Sequence, residues 1–180
     1  MDEASNLIWI DCEMTGLDVA SNRILEIAIV ITDRQLSVIA QTESYVLHQP
    51  KKLLDSMDEW NTKTHKASGL YDLALESTLT EDALEKELLS WLQGYCKPKS
   101  SALCGNTVHQ DRWFLKSYMP KLEEFFHYRH IDVSTIKELA KRWNPSLVEN
   151  FKKKEGHRAL DDILESIEEL KYYKKFFFNI

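Results

Sequence analysis

Two carboxylates, Asp11 and Glu13, stand one residue apart in the run Trp9-Ile10-Asp11-Cys12-Glu13-Met14. In an extended chain the period of two turns both side chains to one face and Cys12 to the other. Carboxylates that close oppose each other's ionisation unless a cation sits between them. Hard divalent ions such as Mg²⁺ and Mn²⁺ take oxygen ligands of this sort. A lone Asp-x-Glu is equally well explained as two solvated acids at a strand end. Two further acidic positions change that balance. Asp111 closes the segment Gly105-Asn106-Thr107-Val108-His109-Gln110-Asp111, where by itself it would only stabilise a helix N-terminus. The block His157-Arg158-Ala159-Leu160-Asp161-Asp162 adds an imidazole and two acids, which alone would be a surface histidine and first-turn helix acids. Dismissing all of these together requires three independent accidents.

These residues need elements to bring them together. Leu7–Cys12 is a compact apolar run readable as a strand buried on both faces, and Ile24–Thr32 is β-branched and strand-like. A third strand is expected over Ser37–Leu47. Short links between the three predict an antiparallel meander. Beyond Pro50 the pattern turns helical: Thr80 caps a helix whose Leu84, Leu88, Trp91, Leu92 and Tyr95 recur at helical spacing. Ala102–Asn106 reads as a short strand, followed by a helix from about Asp111 to Pro120. Tyr128–Val133 reads as another strand, with Ser134 capping a helix over Thr135–Trp143. The last helix is expected from about Arg158 to Phe177, with Leu160, Ile163, Leu164, Ile167 and Leu170 on one stripe. On an ideal helix Asp162 lies nearly opposite that stripe and Asp161 nearer its edge, so periodicity leaves the choice between them open. Strands followed by alternating strands and helices predict an α/β fold with a mixed central sheet flanked by helices. Functional sites in such sheets form at strand ends beside helix starts.

Composition narrows the function. The 180 residues are the length of a single domain, expected to span 1–180, with no low-complexity tract and no apolar run of membrane-spanning length. The short acidic start Met1–Asn6 is read as carrying no leader peptide, and three cysteines without zinc spacing point to a reducing cytoplasm. A net charge of −6 weighs against long or duplex nucleic acid, where affinity comes from neutralising many phosphates. It leaves room for a substrate with one or two phosphates.

Asp11-x-Glu13, then Asp111, then His157 with Asp162 beyond it, is the order of acids and histidine in the DEDD-type 3′→5′ exonucleases. The words Trp9-Ile10-Asp11-Cys12-Glu13-Met14-Thr15-Gly16-Leu17, Asp132-Val133-Ser134-Thr135 and His157-Arg158-Ala159-Leu160-Asp161-Asp162 resemble the oligoribonuclease family in particular, and the resemblance runs from about Leu7 to Tyr173. It implies a ribonuclease H-like fold, a homodimer, and trimming of very short single-stranded RNA, from dinucleotides to about five nucleotides, to mononucleotides. The family's spacing selects Asp162 over Asp161, which stays the fallback.

The implied cofactor is two divalent ions, Mg²⁺ or Mn²⁺, which in such enzymes sit roughly 3.5–4 Å apart and hold the attacking water and the leaving oxygen. The implied ligands are Asp11, Glu13, Asp111 and Asp162, with His157 as general base. An alternative role for His157 is to orient the phosphate. By the same resemblance Leu17, Trp60 and His65 line the pocket for the bases and terminal phosphate, Leu17 as an aliphatic wedge between bases. The competing explanation of Trp60 is core packing. Thr107, Tyr128, Arg129 and Ser134 resemble the family's cap over the 5′ phosphate, and a guanidinium with three hydroxyls suits a terminal phosphate. Otherwise Arg129 pairs with Asp132 and Tyr128 packs. Tyr128 is further expected to reach the neighbouring subunit's site. His127 and His130 are read as structural, Lys152–Lys154 as a solvated loop, and Phe176–Phe178 as packing. Two competing functions remain: an exonuclease acting on longer strands, and a non-catalytic nucleotide-binding module.

Overall fold

The computed structural model describes residues 6–151 and 158–178. Strand β1 (Leu7–Met14) forms the middle of a mixed sheet. It pairs antiparallel with β2 (Ile24–Thr32), which pairs antiparallel with β3 (Val38–Gln41) and β4 (Tyr45–Val46). The expected third strand is therefore two pieces. They are divided where Thr42 bonds back to β2, its N–H donating to the Ile29 carbonyl at 2.9 Å and its hydroxyl accepting from the Ile29 N–H at 3.0 Å. Short helices α1 (Lys51–Leu54), α2 (Glu59–Ala67) and α3 (Leu70–Glu76) precede the longer α4 (Glu81–Leu92). The chain returns to the far side of β1 as β5 (Leu103–Gly105), which is parallel to it. Helices α5 (His109–Tyr118) and α6 (Pro120–Phe125) follow, and then β6 (His130–Asp132), parallel to β5. Helices α7 (Val133–Trp143), α8 (Pro145–Glu149) and α9 (Ala159–Phe176) complete the order. The antiparallel first strands, the mixed sheet and the flanking helices are as the sequence predicted.

Alternation along β1 splits the interior in two. Ile8, Ile10, Cys12 and Met14 face a core filled by α4, α5 and α6 through Leu84, Leu88, Phe114 and Leu122. Trp9 faces the other core, with Ala28 and Val30 of β2 and Ala159, Ile163 and Ile167 of α9. Asp11 and Glu13, in phase with Trp9, therefore rise from the face that α9 covers. The buried Trp9 indole is satisfied by the Thr32 hydroxyl at 3.0 Å. Gly105 matters for the approach of β5 to β1. A Cβ there would lie 2.9 Å from the Ile10 carbonyl oxygen, next to Asp11, so a larger residue would push the strands apart at the acid.

One helix cap differs from expectation. Asp132, not Ser134, caps α7: its Oδ1 accepts from the Ser134 N–H at 3.0 Å and from the Ser134 hydroxyl at 2.6 Å. Both residue types are good caps, and the extended backbone of Asp132 at the end of β6 decides between them.

Candidate active site

Asp11 and Glu13 project from β1, and Asp162 from the first turn of α9. One carboxylate oxygen from each of the three lies within 4.8 Å of the others. Asp161 is exposed and lies outside this group, so of the two neighbouring acids it is Asp162 that the helix turns toward Asp11 and Glu13. Asp111, in the first turn of α5, is buried, and its Oδ1 accepts the Cys12 N–H at 2.9 Å, between the two β1 acids.

The electrostatics show what such crowding costs. Burial raises the Asp11 pKa well above the usual carboxylate range, and the charges of Asp111, Glu13 and Asp162 push it further in the same direction. Burial, with Asp162 and Glu26, pushes Glu13 up to about 7, against a downward pull from Arg158. Burial pushes Asp111 up to about 8 even though backbone N–H groups, that of Cys12 among them, stabilise its charge. A carboxylate group that holds protons near neutral pH is deficient in positive charge. Hard divalent cations supply that charge through oxygen ligands, so these residues fit a metal centre. His157, the expected base, lies outside the described residues.

The other expected residues fall into two sets. Leu17, Trp60 and Tyr128 are 74%, 62% and 70% exposed, so none of the three is a core residue. Leu17 sits on the turn after β1. Its carbonyl accepts from the Gln110 side chain at 2.6 Å, which ties that turn to the helix of Asp111. The turn is closed by Thr15, whose N–H donates to the Arg23 carbonyl at 2.9 Å and whose hydroxyl donates to Asn22 at 3.0 Å. His65 is fully buried in α2, with Nε2 2.9 Å from the Met14 carbonyl, so it fastens α2, which also carries Trp60, to the end of β1. Around Asp132 the structure gathers Thr107 and Ser134. Thr107 adopts a left-handed φ of 55°, unfavourable for a β-branched residue, and its N–H donates to Asp132 Oδ1 at 2.9 Å. Arg129 places its guanidinium 5.3 Å from the centre of the Tyr128 ring. Composition and spacing did not single out Glu26, Asn106, Gln110 or Glu169. Glu169 of α9 is fully buried and joins Tyr173 of the same helix, Lys137 of α7 and Asn106, the residue after β5. Buried charged residues in otherwise apolar runs, such as Glu26 in ILEIAIVIT, were the signal available.

A ribonuclease H-like sheet that carries buried acids at a strand–helix junction is the scaffold of a metal-dependent nuclease. The chain matches the RNase_T exonuclease family over residues 8–170. It is 52% identical to the oligoribonuclease of Neisseria meningitidis over 177 residues, covering 98% of this chain and 95% of that one. It is also 52% identical to the oligoribonuclease of Marinobacter nauticus over 180 residues, covering all of both. Among solved structures, exonuclease I shares the fold at a TM-score of 0.71 and 15% identity, over 95% of this chain but 41% of that one. The zinc-bound form of Escherichia coli exonuclease I with single-stranded DNA likewise gives 0.71 at 16% identity, over 95% of this chain and 40% of that one. The chain therefore belongs to the oligoribonucleases, within the RNase_T exonucleases.

Proposed function

We propose that this chain is a 3′→5′ exoribonuclease that degrades very short RNA, dinucleotides above all, to nucleoside 5′-monophosphates by metal-dependent phosphodiester hydrolysis. The convergence of Asp11, Glu13 and Asp162 within 4.8 Å carries the reading. These three, with Asp111, would hold two divalent ions, Mg²⁺ or Mn²⁺. When bound, such ions supply Lewis-acid polarisation of the phosphate and of the attacking water. His157 takes the proton of that water at an imidazole nitrogen.

Leu17 and Trp60 stack on the bases, and His65 holds their platform against β1 through the Met14 carbonyl. Thr107, Arg129 and Ser134 bind the 5′ phosphate, and Tyr128 completes the site of a neighbouring subunit in a homodimer. The exposure of Leu17, Trp60 and Tyr128 supports this set. A cap on the 5′ end limits substrate length, in keeping with a net charge of −6 that is unsuited to tracking a long polyanion. Residues 1–180 act as one exonuclease domain. A cytoplasmic setting suits three buried thiols, and no helix among the described residues is long and apolar enough to cross a membrane.

The test compares kcat/KM for a 5′-phosphorylated dinucleotide and a heptamer of the same composition, in Mg²⁺ and in Mn²⁺. The dinucleotide is expected to be preferred roughly tenfold or more. Equal or faster turnover of the heptamer would instead make the chain an exonuclease of longer strands. No metal-dependent release from either would leave only a binding module.

A further inference from the structure

Glu26 is a fully buried carboxylate on β2 that stands outside the cluster of Asp11, Glu13 and Asp162. Its Cα is opposite that of Glu13 in the β1–β2 ladder, so both side chains rise from the same face of the sheet. An unpaired charge at that depth would be strongly unfavourable and would add to the negative charge already crowded there.

Arg158 answers both problems. Its Nε lies 2.9 Å and 3.1 Å from the two Glu26 oxygens, and a terminal nitrogen lies 2.7 Å from Oε1. This is the two-pronged geometry that a planar guanidinium makes and an ammonium does not. The Ala159 N–H, at 3.3 Å, is a third donor to the same carboxylate.

That third bond places the pair at the start of α9. Arg158 is the N-cap residue of the helix, and its side chain makes no capping bond to the helix backbone, since a guanidinium has no acceptor. One of the otherwise unpaired first-turn amides is instead satisfied by a carboxylate from the sheet. The Asp162 N–H donates to the Arg158 carbonyl at 3.0 Å. The residue gripped by Glu26 thus carries the first backbone bond of the turn that presents Asp162.

We infer that Glu26 and Arg158 form a positioning clamp, in which β2 caps α9 and so sets the height and rotation at which Asp162 meets Asp11 and Glu13. Where the clamp concerns turnover it rests on the proposed nuclease reading, because Arg158 directly follows His157 in the chain. Where it concerns metal affinity it needs no substrate.

The test uses the full chain with Arg158→Lys, which keeps the charge and loses the fork, and Glu26→Gln, which keeps the shape and loses the charge. Mn²⁺ binding is read by calorimetry, kcat and KM on a 5′-phosphorylated dinucleotide, and stability by thermal unfolding. A core trimming on the opposite face, Ile29→Val, is the control for lost stability alone. Both clamp variants are expected to weaken Mn²⁺ binding and lower kcat roughly tenfold or more, with KM within about twofold. Ile29→Val is expected to lower Tm and leave Mn²⁺ affinity and kcat unchanged. Arg158→Lys that keeps both Mn²⁺ affinity and kcat within about twofold of the parent overturns the clamp, and it decides alone if Glu26→Gln does not fold. If the parent releases no mononucleotide, the nuclease reading fails while calorimetry still judges the clamp.

Discussion

Asp11, Glu13, Asp111 and Asp162 are buried or half-buried and come from a central strand and the first turns of two helices. Leu17, Trp60, Tyr128 and Arg129 stand in solvent on turns and a short helix. The first group is fixed by backbone that the whole core holds in place. The second rests on local contacts, such as Gln110 on the Leu17 carbonyl and His65 on that of Met14. Charge geometry tolerates little error, so the acids sit on rigid elements. In the proposed reading the exposed group meets bases and a terminal phosphate, contacts that tolerate more error than the spacing of crowded charges, so exposed side chains suffice.

The sharpest way to break this division is within α9. Asp162→Asn is expected to lower kcat by about a thousandfold or more and to weaken Mn²⁺ binding, as befits a lost metal ligand. Asp161→Asn, one residue away and exposed, should stay within about twofold of the parent in both. The reverse outcome, with Asp161→Asn inactive, would show that the helix presents the other acid.

A smaller effect is expected on the exposed side. Trp60→Ala should reduce kcat/KM on dinucleotide by roughly 10- to 100-fold, the worth of about 1–3 kcal/mol of stacking. Tyr128→Ala, through loss of its contribution to a neighbouring subunit's site, should reduce it by roughly 10-fold or more. Their Tm should be unchanged, since neither side chain is in a core. A fall in Tm with unchanged kinetics would make both residues structural and erase the contrast.

The smallest effect concerns protons. Glu13 is pushed up to about 7 and Asp111 up to about 8, so between roughly pH 4 and pH 8 the folded chain binds protons that the unfolded chain has released. The contribution of these two carboxyls to the stability of the metal-free protein is therefore fullest at the acidic end of that window and declines as pH rises through it. A divalent cation replaces those protons. At a single Mn²⁺ concentration, set about 100-fold above the Kd found at about pH 8, the Tm gain should be on the order of 5–10 °C at about pH 8 and near zero at about pH 5. A gain independent of pH would mean that the acids are not the binding groups.

The acids, their order and the strands and helices that bear them were legible because period-two and period-3.6 patterns and long motifs are local properties of a chain. Asp11 and Glu13 share a face by alternation alone, and the apolar runs of β1, β2 and α9 could be read directly. Between Asp162 and Asp161 periodicity was silent and only the resemblance chose, because both occupy the first turn and the docking angle of α9 on the sheet separates them. That angle depends on contacts between residues far apart in the chain. Arg158 and Glu26 are 132 positions apart, and Asn106 and Glu169 are 63 apart. Local patterning carries no information about such pairs. So the sequence determined that Asp11 and Glu13 share a face, and the order in which the acids follow along the chain. Only tertiary structure decided how closely they meet, through a buried glutamate whose charge had to find its arginine across the fold.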